Sequence, residues 1–434
     1  MRYALVNPHW TFEGSIYFGC REPHLPLELG YAKALLEQAG HDVLLLDASL
    51  EPQPTPEIRD TVHRFQPDFT VIPTAPSYLF WRCPPPELSV PRALVEALAE
   101  DRSHRPAGRI VLIGPHPSTT PATTLAKVGA DIAVLGESDQ VLPDLAGVVA
   151  GVQGIARRIN GQVIIQGGRR SADLERLPAL DWPRHLLAAH SHHHHRFDHP
   201  QTGLGAEIES SRGCPYSCSF CAKSDHRDRF RRRPLSIVLQ ELDGLIAQGV
   251  AYVYFIDEIF LPRRDLLQAL RARPVQFGIQ TRIDLWQPEL LDLLAEAGCV
   301  SVEAGVESIS TEGRRQLDKN CRLDTETLQQ RLIHAGRIIP FVQASLLDSG
   351  ADDPAAVDHW RRTLNDHGVW ANKPVPMFPY PGSPDYNRLW GPPDSRAWER
   401  AVDHYLRVFR EFSDIQDDLP QPLEVLECCS SQRR

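Results

Sequence analysis

The chain has 434 residues, 42% of them hydrophobic and 24% charged, which is enough apolar content for two or three domains with separate cores. Its formal net charge is −10, which argues against a nucleic-acid backbone as the main partner. No apolar run approaches the roughly 18 residues of a membrane span, and Met1-Arg2-Tyr3-Ala4-Leu5-Val6-Asn7 reads as a strand rather than the charged head of an export signal. A cytoplasmic location with no membrane partner is therefore expected, and a reducing compartment keeps thiols available to metals.

Short apolar runs alternate with helical patterns through the first part of the chain. Strands are predicted at Tyr3–Val6, Val43–Leu46, Phe69–Ile72, Ile110–Ile113 and Ile132–Leu135. Between the first two, Leu27–Ala39 repeats apolar residues every three or four positions and stops at Gly40. Such alternation predicts a parallel, doubly wound sheet, whose ligands bind beyond the carboxyl ends of the strands. Ile155–Ile159 and Gln162–Ile165 flank Asn160-Gly161, a strong hairpin signal expected to close this region. A connector follows, and its Ser191-His192-His193-His194-His195 run reads as solvated linker rather than a metal site.

The rhythm resumes with strands predicted at Ala206–Ser210, Tyr252–Ile256, Phe277–Thr281, Ser301–Gly305, Phe341–Leu346 and Asn372–Pro376. Leu235–Ala247, Leu290–Ala297 and Ala355–Asn365 are expected helices between them, and six such units fit a partial barrel as well as an open sheet. Arg227–Arg233, with five arginines, reads as a solvated segment leading into a helix. Arg396–Phe412 is expected to pack as a terminal helix, and Cys428-Cys429 lie in a tail. These readings divide the chain into 1–150, a hairpin and connector over 151–205, a second domain over 206–386, and a helix and tail over 387–434.

Cys214, Cys218 and Cys221, three of nine cysteines, stand at C-x3-C-x2-C on the loop after the strand predicted at Ala206–Ser210. Gly213 and Pro215 oppose a helix there, so the backbone is free to wrap three sulfurs around one centre. Three thiolates suit a [4Fe-4S] cluster with one iron left open, since clusters that only carry electrons normally take four cysteines. A structural zinc site would need a fourth ligand, for which His226 is the nearby candidate. The scattered positions and odd number of cysteines argue against a disulfide framework.

This motif after the first strand of a βα repeat resembles the radical S-adenosylmethionine (radical SAM) superfamily. The N-terminal α/β region narrows the likeness to the cobalamin-binding, B12-type group. The resemblance implies an α/β chain: a doubly wound Rossmann-like B12-binding-type domain, then a partial (β/α)6 TIM-type radical SAM barrel. Leu25–Tyr31 with Ala39–Val43 looks like that group's first helix and second strand, Ile113–Ser118 like its glycine-proline-histidine loop, and Leu135-Gly136-Glu137 like its glycine-glutamate turn. Cobalamin is then expected against the loops at Asn7, Trp10, Thr74, Ser77, Gly114, His116, Gly136 and Glu137. The D-x-H-x-x-G signature of some B12 enzymes is absent, so His116 is expected to be a loop or tail contact rather than a cobalt ligand.

For the SAM side, the likeness points to Phe220 between the last two cysteines, and to Asp257 and Glu258 at the end of the second strand, opposite the SAM ammonium. Gln280 and Arg282 end the third strand, with Arg282 opposite the SAM carboxylate. Glu303 and Glu307 are assigned to the ribose hydroxyls, and Ser308 to the methionine moiety. Phe378–Pro384 resembles a proline-rich turn at the substrate opening. Leu347–Pro354 departs from the usual glycine-rich fifth-strand turn and puts one SAM contact in doubt.

The implied chemistry is reductive cleavage of SAM to a 5′-deoxyadenosyl radical, with cobalamin supplying C-methylation of a small biosynthetic intermediate. The alternatives are a cobalamin-associated oxidation, cyclisation or rearrangement, and a non-catalytic zinc-binding protein. Expected partners are a small-molecule substrate and an electron donor such as flavodoxin or ferredoxin, with no nucleic acid.

Overall fold

The computed structural model describes residues 1–11, 14–16, 24–49, 55–77, 83–99, 107–189, 203–409 and 419–428. The histidine run at 191–195, residues 410–412 of the expected terminal helix, and Cys429 lie outside the described residues.

Five parallel strands open the chain: β1 (Arg2–Asn7), β2 (Asp42–Asp47), β3 (Phe69–Pro73), β4 (Arg109–Ile113) and β5 (Ile132–Val134). Their order is β2-β1-β3-β4-β5, extended at the edge by the antiparallel hairpin β6 (Ile155–Ile159) and β7 (Gln162–Gln166). Every residue of β3 is buried, as expected for a central strand covered on both faces. Alternate side chains feed two separate cores. Ala4, Val6, Ile72 and Leu112 face one helical layer, while Tyr3, Leu5, Val71 and Val111 face the other. Positive φ at Asn160 (49°) and Gly161 (81°) makes the tight turn that joins β6 to β7. The strand order reverses between β1 and β3, so a ligand crevice is expected where the loops after β1 and β3 diverge.

The second sheet comprises β8 (Leu204–Ile208), β11 (Val250–Phe255), β12 (Gln276–Thr281), β13 (Cys299–Glu307), β14 (Phe341–Asp348) and β15 (Trp370–Ala371), hydrogen-bonded in that order. All of these pairs are parallel, and among the described residues no pairing joins β8 to β15, so the strands form an open arc. A two-stranded ribbon, β9 (Ser211–Arg212) with β10 (Arg231–Arg232), closes the base of the cysteine loop. Helices such as Thr325–Ile338 and Pro354–Asp366 lie between strands and bury Leu332 and Leu364 in one large core with Ile279 and Val302. Asp324 and Asp353 start these helices by accepting from the amides of Thr327 and Ala356.

The sixth strand corrects the expectation of one run over Asn372–Pro376. It is split into β15 and β16 (Val375–Pro376), which both pair with β14. Asn372 itself leaves the ladder, accepting from the Leu346 amide (2.8 Å) and donating to the Leu346 carbonyl (3.1 Å) with its side chain. The helix Ala397–Val408 returns to the first sheet's helices, where the Trp398 indole donates to Thr120 Oγ1 (3.0 Å) and Lys127 pairs with Glu399 (2.6 Å). Among the described residues no helix is long and apolar enough to cross a membrane.

Leu332 is fully buried between its helix and the arc. Leu332→Ala is expected to lower stability by about 2–5 kcal/mol, read from the urea midpoint of the cluster-free protein. A loss well below about 1 kcal/mol would contradict the tight packing described.

Candidate functional site

The cysteine loop leaves the carboxyl end of β8 through a constrained turn. Gly213 has φ +76°, and a Cβ there would stand 2.1 Å from the Arg229 carbonyl oxygen, so only glycine fits. Its amide donates to Glu258 Oε2 (2.7 Å). Lys223 Nζ donates to the Cys214 carbonyl (2.7 Å), and the Cys221 amide to the Cys218 carbonyl (3.2 Å). Ser219 anchors the far side: its amide donates to the Leu317 carbonyl and its hydroxyl to Asp385 (3.0 Å). Cys214 is buried, Cys218 and Cys221 are half-buried, and none is in a disulfide. The loop thus presents three thiols from a backbone held by its own amides.

Asp257 and Glu258 stand behind this loop. Asp257 accepts from the Ser210 amide (2.7 Å), Ser210 Oγ (2.6 Å) and Ser211 Oγ (2.5 Å). Burial pushes its carboxyl up to about 6 despite those donors. Glu258 pairs with Arg227 as well as Gly213. Both carboxylates therefore brace the cysteine loop, and their contacts argue against the expected direct pairing with the SAM ammonium.

A charged group gathers around Cys218. Arg282 forks onto Asp284 (3.0 and 2.8 Å) and lies over the Tyr216 ring, 3.9 Å from its centroid. Glu307 adopts φ +62°, unusual for a non-glycine residue, and pairs with the buried Lys319. Gly305 makes the necessary room, since a Cβ there would sit 2.6 Å from Glu307 Oε1. Burial pushes the Cys218 thiol up, Lys319 and Arg282 favour its thiolate, and Glu307 opposes it. Gln280, Glu303 and Gln343 are register partners across β12, β13 and β14, giving a polar row beside this group. Phe220 is half-buried within the loop. Ser308 Oγ instead donates to Asp352 (2.8 Å), whose carboxylate also takes the amides of Ile309 and Ser310. Asp352 thus closes the turn at the unusual fifth-strand segment.

Lys319 and Tyr216 were not legible as site residues. Lys319 lies on a turn twelve residues beyond Glu307, and only the fold returns it to Cys218. Tyr216 carries no spacing signal beyond its place between cysteines.

The first sheet's expected ligand loops converge in part. Asn7 donates to Asp47 (2.9 Å) and accepts from the Trp10 indole (2.9 Å) at the end of β1. Ser77 donates to Glu28 and accepts from the Leu27 amide, and Thr74 donates to the Ile113 carbonyl (3.0 Å) beside Gly114. Asn7, Trp10, Thr74 and Ser77 are all buried at or beyond the carboxyl ends of β1 and β3, where the strand order reverses. His116 is fully buried, bonded to the Pro85 carbonyl (2.7 Å) and packed against Trp398 with ring centroids 4.6 Å apart. Burial lowers it to about 4, so the imidazole is neutral and acts as a loop contact inside the domain.

Gly136 and Glu137 face the other way, toward the cysteine loop. Glu137 accepts from the Ala172 amide, Arg212 Nη1 (3.0 Å) and both terminal nitrogens of Arg231 (3.1 and 2.5 Å). Its carboxylate is committed to arginines, so it joins the two sheets rather than opening toward a ligand. The arginine run is also corrected: Arg227 and Arg233 are buried, Arg227 on Glu209 and Glu258, and Arg233 on Glu241 (2.8 Å). His226 lies against Glu137 and Glu258, and among the described residues no three His, Cys, Asp or Glu side chains converge on one metal ion. A cubane cluster, unlike a zinc ion, spreads its thiolates over separate irons.

Two family models match parts of this chain. The radical SAM superfamily model matches residues 208–334, and the B12 binding domain model matches residues 20–146. An uncharacterized methyltransferase of Pyrococcus horikoshii is 24% identical over 303 residues, 66% of this chain and 61% of that protein. A tryptophan 2-C-methyltransferase of Streptomyces laurentii is 30% identical over 164 residues, 33% of this chain and 27% of that protein. The chain thus spans less than two thirds of the length of these relatives. The fold is similar to that of TsrM, a radical S-adenosylmethionine methyltransferase from Kitasatospora setae solved with cobalamin and a [4Fe-4S] cluster bound. The TM-score is 0.68 at 18% identity, over 88% of this chain and 76% of that one.

Burial would raise the Glu137 carboxyl, but Arg212 first, then Arg231 and Arg227, hold it down at about 2. Its contribution to stability is therefore present above its ordinary value of 4.5 and lost as pH falls toward 2, on the order of 3 kcal/mol in all. The stability advantage of wild type over Glu137→Gln is expected to shrink as pH drops from about 5 to about 2.5 in acid titrations of folding. An advantage independent of pH would contradict this pairing.

Proposed function

Because the chain belongs to the cobalamin-binding radical SAM family, with a B12 binding domain ahead of a radical SAM domain, we propose that it is a cobalamin-dependent radical SAM methyltransferase. Its substrate in this reading is a small biosynthetic intermediate methylated at carbon. The observation that carries it is the set of three thiols after β8, on a loop braced by the Gly213–Glu258 bond and tied through Arg212 to Glu137 in the turn after β5. An electron donor such as flavodoxin or ferredoxin and a cytoplasmic location complete the reading.

Cys214, Cys218 and Cys221 would hold three irons and leave the fourth for the amino and carboxylate groups of SAM. Arg282 and Lys319, beside Cys218, offset the negative charge that thiolates and a carboxylate bring together. Glu303 and Glu307 present acceptors for ribose hydroxyls, with Gln280 beside Glu303 in the same row. Phe220 and Tyr216 supply apolar walls that exclude water. Asn7, Trp10, Thr74, Ser77 and Gly114 frame the crevice for cobalamin, and their small or hydrogen-bonded side chains let a flat macrocycle approach the backbone. When bound, the cluster with SAM supplies a 5′-deoxyadenosyl radical and cobalamin supplies a methyl group. The protein's part is to bind, orient and shield.

Anaerobic reconstitution is expected to give a brown protein with about four irons per chain, and Cys218→Ala to lose most of them. A colourless zinc protein would overturn the reading. With reductant, cobalamin and methyl-labelled SAM, label is expected in a small-molecule product found by mass spectrometry; 5′-deoxyadenosine without labelled product would remove methyl transfer. Lys319→Met is expected to weaken SAM binding roughly ten- to hundredfold, the effect of losing one charge-assisted contact of about 1.5–3 kcal/mol, measured by equilibrium dialysis. Unchanged binding would take Lys319 out of the site.

A further inference from the structure

We propose that Arg212 is a positioning residue that fixes the cysteine loop relative to the turn after β5 in the first sheet. Resting on the function proposed above, the consequence is that both cofactors address one substrate in a set geometry.

The side chain of Arg212 is 1% exposed, and each of its nitrogens is used. Nε donates to both oxygens of Glu209 (3.1 and 3.0 Å), Nη1 to Glu137 (3.0 Å) and Asp139 (2.7 Å), and Nη2 to Asp139 (3.2 Å). Two of these carboxylates come from the turn after β5 and one from Arg212's own segment. Adhesion between the two sheets does not call for such a node. His24 with Glu207 (3.1 Å), Arg169 with Asp225 (2.9 Å) and Arg231 with Glu137 (2.5 Å) cross the same boundary. Desolvating one guanidinium and three carboxylates is expensive, and a buried ion-pair cluster adds little net stability over a well-packed apolar one.

The location supplies a reason for the node. Arg212 is two residues before Cys214, and the residue between them is Gly213, whose φ of +76° and bond to Glu258 leave the backbone no slack. Glu258 in turn holds Arg227, which also holds Glu209. An unbroken chain of charge-assisted bonds therefore runs from the β5 turn to the Gly213 amide, one residue before the first thiol. A planar fork sets orientation as well as distance, which a lysine ammonium does not. Misplacing reacting groups by about 1 Å lowers rates on the order of a hundredfold.

The test uses Asp139→Asn, nearly isosteric and on the first sheet, together with Arg212→Lys in case either alone fails to fold. In the full chain without cofactors, hydrogen exchange at the amides of residues 211–221 is expected to accelerate at least about tenfold while β11 and β12 stay protected. Exchange that is unchanged, or raised equally everywhere, overturns the positioning role, and this readout does not depend on the proposed reaction. In reconstituted protein, iron and cobalamin content should match wild type while the electron paramagnetic resonance signal of the reduced cluster with SAM shifts. The ratio of 5′-deoxyadenosine to methylated product should rise, with KM little changed. A lower Tm with the wild-type signal and ratio would reduce Arg212 to a stability contact and overturn the proposal. A wild-type protein that takes up no cluster would overturn the function instead, leaving the exchange result to decide the positioning role.

Discussion

The pairing of buried arginines with buried carboxylates at the junction of the two sheets is the constraint on which the rest of the molecule depends. The buried Arg212 and Arg227, with the half-buried Arg231, meet the buried carboxylates of Glu137, Asp139, Glu209 and Glu258. A lone charge there would be prohibitive, so each group exists in its ionised form only because the others are in place. Removing one partner leaves the others less fully compensated, so a change at one group is felt through the cluster. The cysteine loop is threaded through this cluster, and its conformation follows from it.

A second electrostatic arrangement sits at the open side of the loop. Arg282 is held over the Tyr216 ring by Asp284, and Lys319 is held by Glu307. These cations are pre-oriented by neighbours that are themselves anchored, so little side-chain freedom remains to be lost when an anionic group arrives. The unusual backbone of Glu307 and the bare Cα of Gly305 fit this account: room and strain are placed where a charge must point inward from a strand end. Behind the loop, Asp257 and Glu258 provide the rigid wall against which these groups act.

Much of this was legible in residue order. The parallel strands of both sheets were readable because buried strands in βα repeats are written as short Val, Ile and Leu runs. Asn160-Gly161 announced its hairpin, and the spacing of Cys214, Cys218 and Cys221 marked the loop on which the proposed function rests. The five arginines from Arg227 to Arg233 misled, because a dense basic run usually faces water and their carboxylate partners are far away in sequence. Glu137 lies 94 residues from Arg231, and Glu209 lies 18 from Arg227. The break at Asn372 was likewise hidden, since its side chain replaces ladder bonds to Leu346, a residue 26 positions earlier.

Residue order by itself determined the fold class, the order of the two sheets and the placing of three thiols on one loop, because these follow from local periodicity and short-range spacing. Only the tertiary structure decided which charged groups serve as walls and which face the open loop. It turned Glu137, Asp257 and Glu258 into braces, brought Lys319 to Cys218, and enclosed His116. The physical reason is that a carboxylate's role depends on the counter-charge within a few ångströms and on the water excluded around it. Neither is encoded at the carboxylate's own position.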